Sequence, residues 1–120
     1  MGGCTAGGYV NDASQDNPTY EFFPSRGPAV VSQILQDTLP ANLYPFVFLL
    51  PSGLLFVQSN WASALLNYTS NEQTDLPDMI DAVRVYPGSA GVIVLPQTPD
   101  NNFTMIILFC GGSNVQPAQY

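Results

Sequence analysis

The stretch Leu-Phe-Val-Gln-Ser-Asn at residues 55–60 has the pattern of an apolar strand ending in Ser-Asn, and this ending is repeated later in the chain. Residues 109–114 read Phe-Cys-Gly-Gly-Ser-Asn, so the Ser-Asn pair at 59–60 recurs at 113–114, a spacing of 54 residues. Gly-Gly at 2–3 returns at 111–112 after 109 residues, close to two such spacings. The sequence therefore indicates three equivalent strand ends at regular intervals.

A repeat of about 50 residues is typical of kelch motifs, in which a di-glycine closes an apolar strand. Glycine has no Cβ, so the backbone can turn sharply and pack closely at a crowded inner rim. Each period would then be one four-stranded blade of a β-propeller. We therefore predict an all-β fold, a kelch-type β-propeller fragment with about two blades of four-stranded antiparallel sheet. The alternative is a chance recurrence of common glycine pairs.

The repeat also predicts how the chain is divided. The expected blades are residues 1–43 (incomplete), 44–87 and 88–120 (incomplete). A propeller needs about four to eight blades to close, so we expect this chain to be a slice of a larger protein.

The apolar runs predict strands within these blades, with little helix. Strands are expected at about residues 44–50, 54–59, 64–68, 90–95 and 103–110. Pro-Ser-Gly at 51–53 joins the first two as a hairpin, and the polar stretch 69–74 ends the third. Residues 18–23 alternate like a strand, and residues 32–37 fit either a short helical turn or an edge strand.

The composition argues against several functions. Apolar residues make up 46% of the 120 residues, which is enough for a packed core. Two Arg, no Lys and nine acidic residues give a net charge of −7, which argues against binding nucleic acid or an anionic membrane surface. There is no His, the usual general base and the commonest copper or zinc ligand. The longest apolar runs, 46–50 and 105–110, are too short to span a bilayer.

Other features favour an extracellular, secreted protein. The chain lacks Lys and is rich in Pro, Ser, Thr and Asn. It carries two sequons, Asn-Tyr-Thr at 67–69 and Asn-Phe-Thr at 102–104, so Asn67 and Asn102 are candidate N-glycosylation sites. The first residues have no basic or apolar region typical of a signal peptide. We therefore expect the start of the secreted protein to lie upstream.

Four side chains raise the question of chemistry. Asp78 and Asp81 could form an acid–base pair, but their Pro-bounded polar setting favours a solvated turn. Cys4 and Cys110 lie on blades that are not neighbours, and a disulfide needs Cα atoms within about 7 Å. We therefore predict no disulfide, with Cys110 a buried apolar thiol and Cys4 facing the central channel.

Three further features have two interpretations each. Arg84, amid apolar residues, is expected to pair with an Asp at a blade junction, and anion binding is the alternative. Trp61 is either a wall of a cleft or part of the core. The Gly-rich residues 2–8 are neither a Walker loop nor a G-x-G-x-x-G that opens a helix. They are better interpreted as a loop over the top of a propeller.

Several runs, in this order and at similar spacing, resemble the glyoxal oxidase family of fungal copper radical oxidases. They are Asn-Pro-Thr-Tyr-Glu-Phe-Phe-Pro at 17–24, Asn-Leu-Tyr-Pro at 42–45, Leu-Pro-Ser-Gly at 50–53, Arg-Val-Tyr-Pro-Gly-Ser-Ala-Gly at 84–91 and Leu-Phe-Cys-Gly-Gly at 108–112. The resemblance implies a secreted seven-bladed kelch propeller related to galactose oxidase. It implies oxidation of small aldehydes to carboxylic acids, with O₂ reduced to H₂O₂. The implied cofactor is one copper with a radical on a Tyr cross-linked to a Cys.

The same resemblance places none of the family's catalytic, cofactor or metal residues in this chain. The copper needs two His, which are absent, and the cross-linked Tyr and Cys would lie upstream of residue 1. The axial Tyr with its adjacent His would lie beyond Tyr120. In galactose oxidase relatives an aromatic on the loop matching residues 2–8 shields the radical, and Thr5 stands there. Cys4 and Thr5 are thus the candidate near-site residues.

Two classes of function remain open at this point. The chain is either part of a copper radical oxidase, inactive alone, or a non-catalytic kelch-type binding module. In the first case its partners would be the rest of the propeller, a small aldehyde and O₂.

Overall fold

The structure, a computed structural model, describes residues 1–5, 12–79, 81–86 and 88–114. Among these, antiparallel strands dominate and helix is limited to two short segments. The elements in chain order are β1 (Thr19–Tyr20), β2 (Val30–Val31), α1 (Gln33–Asp37), β3 (Phe46–Leu49), β4 (Leu55–Ser59), β5 (Ala62–Asn67), β6 (Glu72–Leu76), β7 (Ala90–Val94), a 3₁₀ turn (Pro99–Asn101) and β8 (Ile107–Gly111). They form a β1–β2 ribbon, a four-stranded sheet in the order β3-β4-β5-β6, and a β7–β8 hairpin.

The five strands predicted from apolar runs correspond to β3, β4, β5, β7 and β8. The last is shorter than predicted, because Asn102 and Phe103 adopt positive φ angles of 53° and 52° and Thr104 closes a turn onto Asn101. Residues 32–37, left open between helix and strand, contain α1, whose Ile34 and Leu35 are buried.

The polar stretch 69–74, predicted to end the third strand, contains the turn after β5 and the start of a further strand, β6. Strand β6 begins at Glu72 and pairs with β5 from Asn67↔Glu72 to Ser63↔Leu76. It lies at the edge of the sheet and most of its side chains are exposed. A strand that buries little needs no apolar run, and charged residues on an edge strand discourage pairing with other chains.

One face of the four-stranded sheet packs on the first 43 residues. Val57, Ala64 and Leu66 point to this face and are buried against Tyr20 and Ile34. Strand β1 and helix α1 thus supply the covering layer.

The opposite face packs on the β7–β8 hairpin through aromatic rings. Side chains alternate along a strand, so Phe56 faces away from Val57. The Phe109 ring lies 5.7 Å from Phe46 and 6.1 Å from Phe56. Tyr86, just before β7, also contacts Phe46, at 6.2 Å. The described chain is therefore a stack of three layers with the four-stranded sheet in the middle.

The sheets have two distinct ends. The end that we call the bridge end is where isolated backbone bridges join the layers: Tyr44↔Tyr86, Asn60↔Arg84 and Val83↔Ser113. The end that we call the turn end holds the β3–β4 turn (50–54), the β5–β6 turn (68–71) and the β7–β8 loop (95–106). The first two turns share an end because antiparallel strands alternate in direction. The third joins them because β7, like β3, begins beside the Tyr44↔Tyr86 bridge.

Candidate functional site

A buried polar cluster occupies the bridge end, at the Ser-Asn that ends β4. Gln58, Ser59, Asn60 and Thr38 are all at most 1% exposed. The Gln58 Nε2 donates to the Asn60 carbonyl at 2.7 Å, and the Asn60 Nδ2 donates to the Thr38 carbonyl at 3.1 Å. Asn60 itself has a φ of 57°, in the left-handed region that Asn tolerates. The cluster therefore fixes the end of β4 to the residue that follows α1.

Hydroxyl groups complete this connection. Thr38 Oγ1 donates its proton to the Ile34 carbonyl at 2.6 Å. Because that proton is used, Ser59 Oγ is the donor in the 2.8 Å bond between the two hydroxyls. Among the described residues, the oxygens Gln58 Oε1 and Asn60 Oδ1 are buried without a hydrogen-bond partner. The cluster has only neutral amides and hydroxyls, a set that holds position and offers no acid or base.

The two di-glycines pack against backbone that leads into a sheet. Gly3 N–H donates to the Leu43 carbonyl and Gly112 N–H to the Ser89 carbonyl, both at 2.6 Å. All four glycines have positive φ angles. The predicted equivalence of the two pairs as inner strand ends stays a prediction, because only Gly111 belongs to a described strand.

The candidate near-site residues Cys4 and Thr5 form a strap tied to residues 15–16. Cys4 forms an isolated bridge with Asp16. Thr5 donates twice to the Gln15 carbonyl, from its N–H at 2.7 Å and its Oγ1 at 2.9 Å. Cys4 is a half-buried free thiol and Thr5 is exposed. The remaining residues of the Gly-rich loop, 6–8, lie outside the described residues.

Asp16 is a buried carboxyl group that the sequence analysis missed. It is 6% exposed, and neither oxygen has a hydrogen-bond partner in the described part of the chain. Desolvation, with a further contribution from the charge of Asp12, raises the pKa of Asp16 to about 6. The run Asn-Asp-Ala-Ser-Gln-Asp-Asn at 11–17 is polar apart from Ala13, so no sequence signal marks Asp16 as buried.

The prediction that Cys110 is buried is wrong. Cys110 is exposed, and Ile106, Leu108 and Ile93 are 44%, 45% and 57% exposed. Gly91 pairs with Cys110 and Ile93 with Leu108, so these residues share one face of the β7–β8 hairpin. The other face of the hairpin, which carries Phe109, packs on the central sheet.

The remaining candidates from the sequence lie in an exposed segment, in the core and at the bridge end. Asp78 and Asp81 are exposed, as a solvated turn requires. Trp61 packs against the buried cluster of Ala41, Val83 and Val85, which favours the core interpretation. Arg84 binds the bridge end through its own N–H to Asn60 O (2.9 Å) and through Nη1 to Ala82 O (3.0 Å). Its pairing with an Asp stays a prediction.

An apolar cleft of about 510 Å³ lies between the first layer and the β3–β4 hairpin. It is lined by Met1, Tyr20, Glu21, Phe22, Val47, Leu49, Leu55 and Tyr68. Burial raises the pKa of Tyr20, and its hydroxyl donates to Asn71 Oδ1 at 3.0 Å. One carboxylate and two phenols without a neighbouring base do not make an acid–base site.

Within the described ranges, no three His, Cys, Asp or Glu side chains come together as a possible metal site. Nor does any helix there have the length and apolarity needed to cross a membrane.

These observations define the class of protein: a mostly β chain with stacked antiparallel sheets and a structural polar cluster. The sequence profile described as "Glyoxal oxidase N-terminus" matches residues 11–120, and the chain belongs to this family. The resemblance noted from the sequence is thereby confirmed.

Three relatives illustrate the relationship. The chain is 35% identical over 98 residues to "Aldehyde oxidase GLOX" of Vitis pseudoreticulata, covering 78% of this chain and 18% of the relative. It is 33% identical over 119 residues to "Aldehyde oxidase GLOX1" of Arabidopsis thaliana (89% and 19%). It is 35% identical over 103 residues to a "WSC domain-containing protein" of Arthroderma benhamiae (80% and 11%). The chain thus spans less than a fifth of each relative, and no solved structure matches it significantly.

Proposed function

We propose that this chain is a segment of a glyoxal oxidase-like copper radical oxidase. The whole enzyme would oxidise small aldehydes to carboxylic acids and reduce O₂ to H₂O₂. Family membership supports this, as do relatives named aldehyde oxidase over 78% and 89% of the chain. We also propose that the protein is extracellular, on the composition and sequons described above.

Within that enzyme, the segment would supply kelch-propeller blades. The main support for this role is the layered stack. The four-stranded β3–β6 sheet is covered by the first 43 residues on one face and by β7–β8 on the other. Residues 44–87 would be one blade, with 1–43 and 88–120 belonging to its two neighbours. The outer face of β7–β8, with Ile93 and Leu108 exposed, has the apolar surface that a following blade would bury.

The residues of this chain do not fit a copper site. The sequence has no imidazole, and the described residues bring no three acidic or thiol ligands together. Six Tyr supply phenols, but an unaided phenol has a pKa near 10 and stays protonated at neutral pH. The copper and the radical Tyr–Cys pair would therefore be held by other parts of the enzyme, and this segment would have a scaffolding role.

The test compares copper binding and turnover in two proteins. One is the 120-residue chain and the other is the longest product of the same gene that contains it. After copper loading and gel filtration, we expect stoichiometric copper and peroxide from methylglyoxal only in the longer protein. Peroxide from the chain alone above a metal-free control would contradict the scaffolding role. A longer protein without copper or turnover would contradict the oxidase assignment.

The alternative is a non-catalytic kelch-type binding module, which would also lack His in this sequence. Flanking sequence discriminates the two. A Tyr shortly before Gly2, a Cys further upstream and two His downstream would favour the oxidase. Their absence would favour the module.

A further inference from the structure

Both sequons lie at the turn end of the stack. Asn67 is the last residue of β5 and begins the turn into β6. Asn102 lies in the loop between β7 and β8, directly after the 3₁₀ turn. The two asparagines come from different layers and from turns far apart in sequence, yet the topology brings them to the same end.

The local geometry leaves the amide nitrogen of Asn67 available. Its Oδ1 accepts hydrogen bonds from the N–H groups of Thr69 at 3.0 Å and Ser70 at 3.4 Å. This Asx-type turn occupies the oxygen and orients the side chain along the exposed turn. Within the described residues, no hydrogen bond involves Asn67 Nδ2, and Thr69, the third residue of the sequon, is exposed.

The Asn102 loop is held by its neighbours. Asn101 Oδ1 accepts from Thr98 N–H at 3.1 Å, and Asn101 O accepts from Thr104 Oγ1 at 2.6 Å. Asn102 is exposed with a left-handed φ of 53°, and its side chain makes no described hydrogen bond. Phe103, the middle residue of the sequon, is 59% exposed. A large substituent on Asn102 would therefore displace no packed group.

The bridge end presents its asparagines differently. Asn42 and Asn60 are 3% and 0% exposed. The Nδ2 of Asn42 donates to the Leu35 carbonyl and that of Asn60 to the Thr38 carbonyl. Neither amide nitrogen is available at this end, where the layers are joined.

We propose that Asn67 and Asn102 carry N-linked glycans, and that the turn end is consequently the solvent-facing end of the whole protein. In each modification, Nδ2 forms a bond to the anomeric carbon of a lipid-pyrophosphate-linked oligosaccharide. The bond from that carbon to the pyrophosphate oxygen breaks, the amide loses one proton, and the lipid pyrophosphate leaves. The inference rests on the proposed extracellular location, and it is independent of copper and of turnover.

The test uses the full chain secreted from yeast behind a cleavable leader. Intact mass is measured before and after treatment with peptide-N-glycosidase. We expect two glycans on the parent chain and one on each of Asn67→Gln and Asn102→Gln. Thr69→Ala should remove the same glycan as Asn67→Gln, whereas Thr69→Ser should keep it. A secreted chain without a glycan at either asparagine would overturn the proposal.

A matched control tests the claim about the two ends. Ala62→Thr turns Asn60-Trp61-Ala62 into a sequon at the bridge end, and Ala62→Val makes a similar change of shape without one. We expect the Ala62→Val chain to be secreted with the parent's Trp61 fluorescence. Glycan on Asn60 should be found only on retained chains or on chains with exposed Trp61. Secretion of a glycosylated Ala62→Thr chain with native Trp61 fluorescence would contradict the assignment of the ends.

Discussion

Replacing Gly111 by Ala tests why a di-glycine closes β8. Gly111 has a φ of 82°, and a Cβ there would lie 2.7 Å from the Ser89 carbonyl oxygen. Gly53, in the β3–β4 turn, has a φ of 85° with no atom within 4 Å of its Cβ position. The two positions have nearly the same φ angle, so Gly53→Ala is a matched control that lacks the close approach.

The expected magnitudes follow from these contacts. Placing Ala in the left-handed region costs about 1–2 kcal/mol at either site. At Gly111 the Ser89 backbone must also move, because a carbonyl oxygen cannot give way as a flexible side chain does. That displacement weakens the 2.6 Å bond from Gly112 N–H to Ser89 O, at about 1 kcal/mol, and adds about 1–3 kcal/mol of overpacking. Gly111→Ala should therefore be destabilised by about 2–4 kcal/mol more than Gly53→Ala.

Urea unfolding followed by the fluorescence of Trp61, the one tryptophan of the chain, measures this difference. Trp61 packs on Val83 and Val85, beside the Val83↔Ser113 bridge that follows the di-glycine. Its emission should therefore report loss of this junction. Equal free energies of unfolding for the two variants would show that the strain comes from φ alone and that the close approach to Ser89 contributes nothing.

Three other changes have expected outcomes. The folded-state pKa of Asp16, about 6, lies above its ordinary value of 3.8, so the folded state binds more protons between these values. Stability should fall by at most about 3 kcal/mol as pH rises through this window, and urea midpoints at several pH values should show this fall abolished in Asp16→Asn. Phe109→Ala removes the ring that joins two layers and should cost about 2–4 kcal/mol, whereas Leu108→Ala, on the exposed face, should change urea unfolding by under about 0.5 kcal/mol. Thr38→Val breaks two buried hydroxyl bonds and should cost about 1–3 kcal/mol in the same assay, against almost nothing for the exposed Thr74→Val.

The strands that could be predicted from sequence are those whose burial leaves an apolar pattern. The runs around Phe46, Val57 and Phe109 predicted β3, β4 and β8 because each contributes rings or branched side chains to a packed face. Strand β6 left no such pattern, since Glu72 and its neighbours pair by backbone at an exposed edge. The start of β8 was predicted too early in the chain, at residue 103. The positive φ of Phe103 comes from closure of the β7–β8 loop and not from a preference of Phe.

The burial of individual side chains was harder to predict. Cys110 lies in an apolar run, and its exposure depends on whether another layer covers its face, which its own sequence does not encode. Asp16 is the opposite case, since the polar stretch around it gives no indication that its carboxyl group is buried. The Ser-Asn at 59–60 was singled out as a strand end. Its hydrogen bonds to Thr38 depend on the position of α1. The sequence pattern of residues 32–37 fitted a helical turn and an edge strand equally well, so these bonds could not be predicted.

As proposed above, this chain would be a set of neighbouring blades in a larger propeller. An experimental structure of the longest product of the gene tests it most directly. We expect the outer face of β7–β8, with Ile93, Leu108 and Cys110, to be buried against a further four-stranded antiparallel sheet, with the turn end open to solvent. A structure in which that face is solvent-exposed, or is covered by helices, would contradict it.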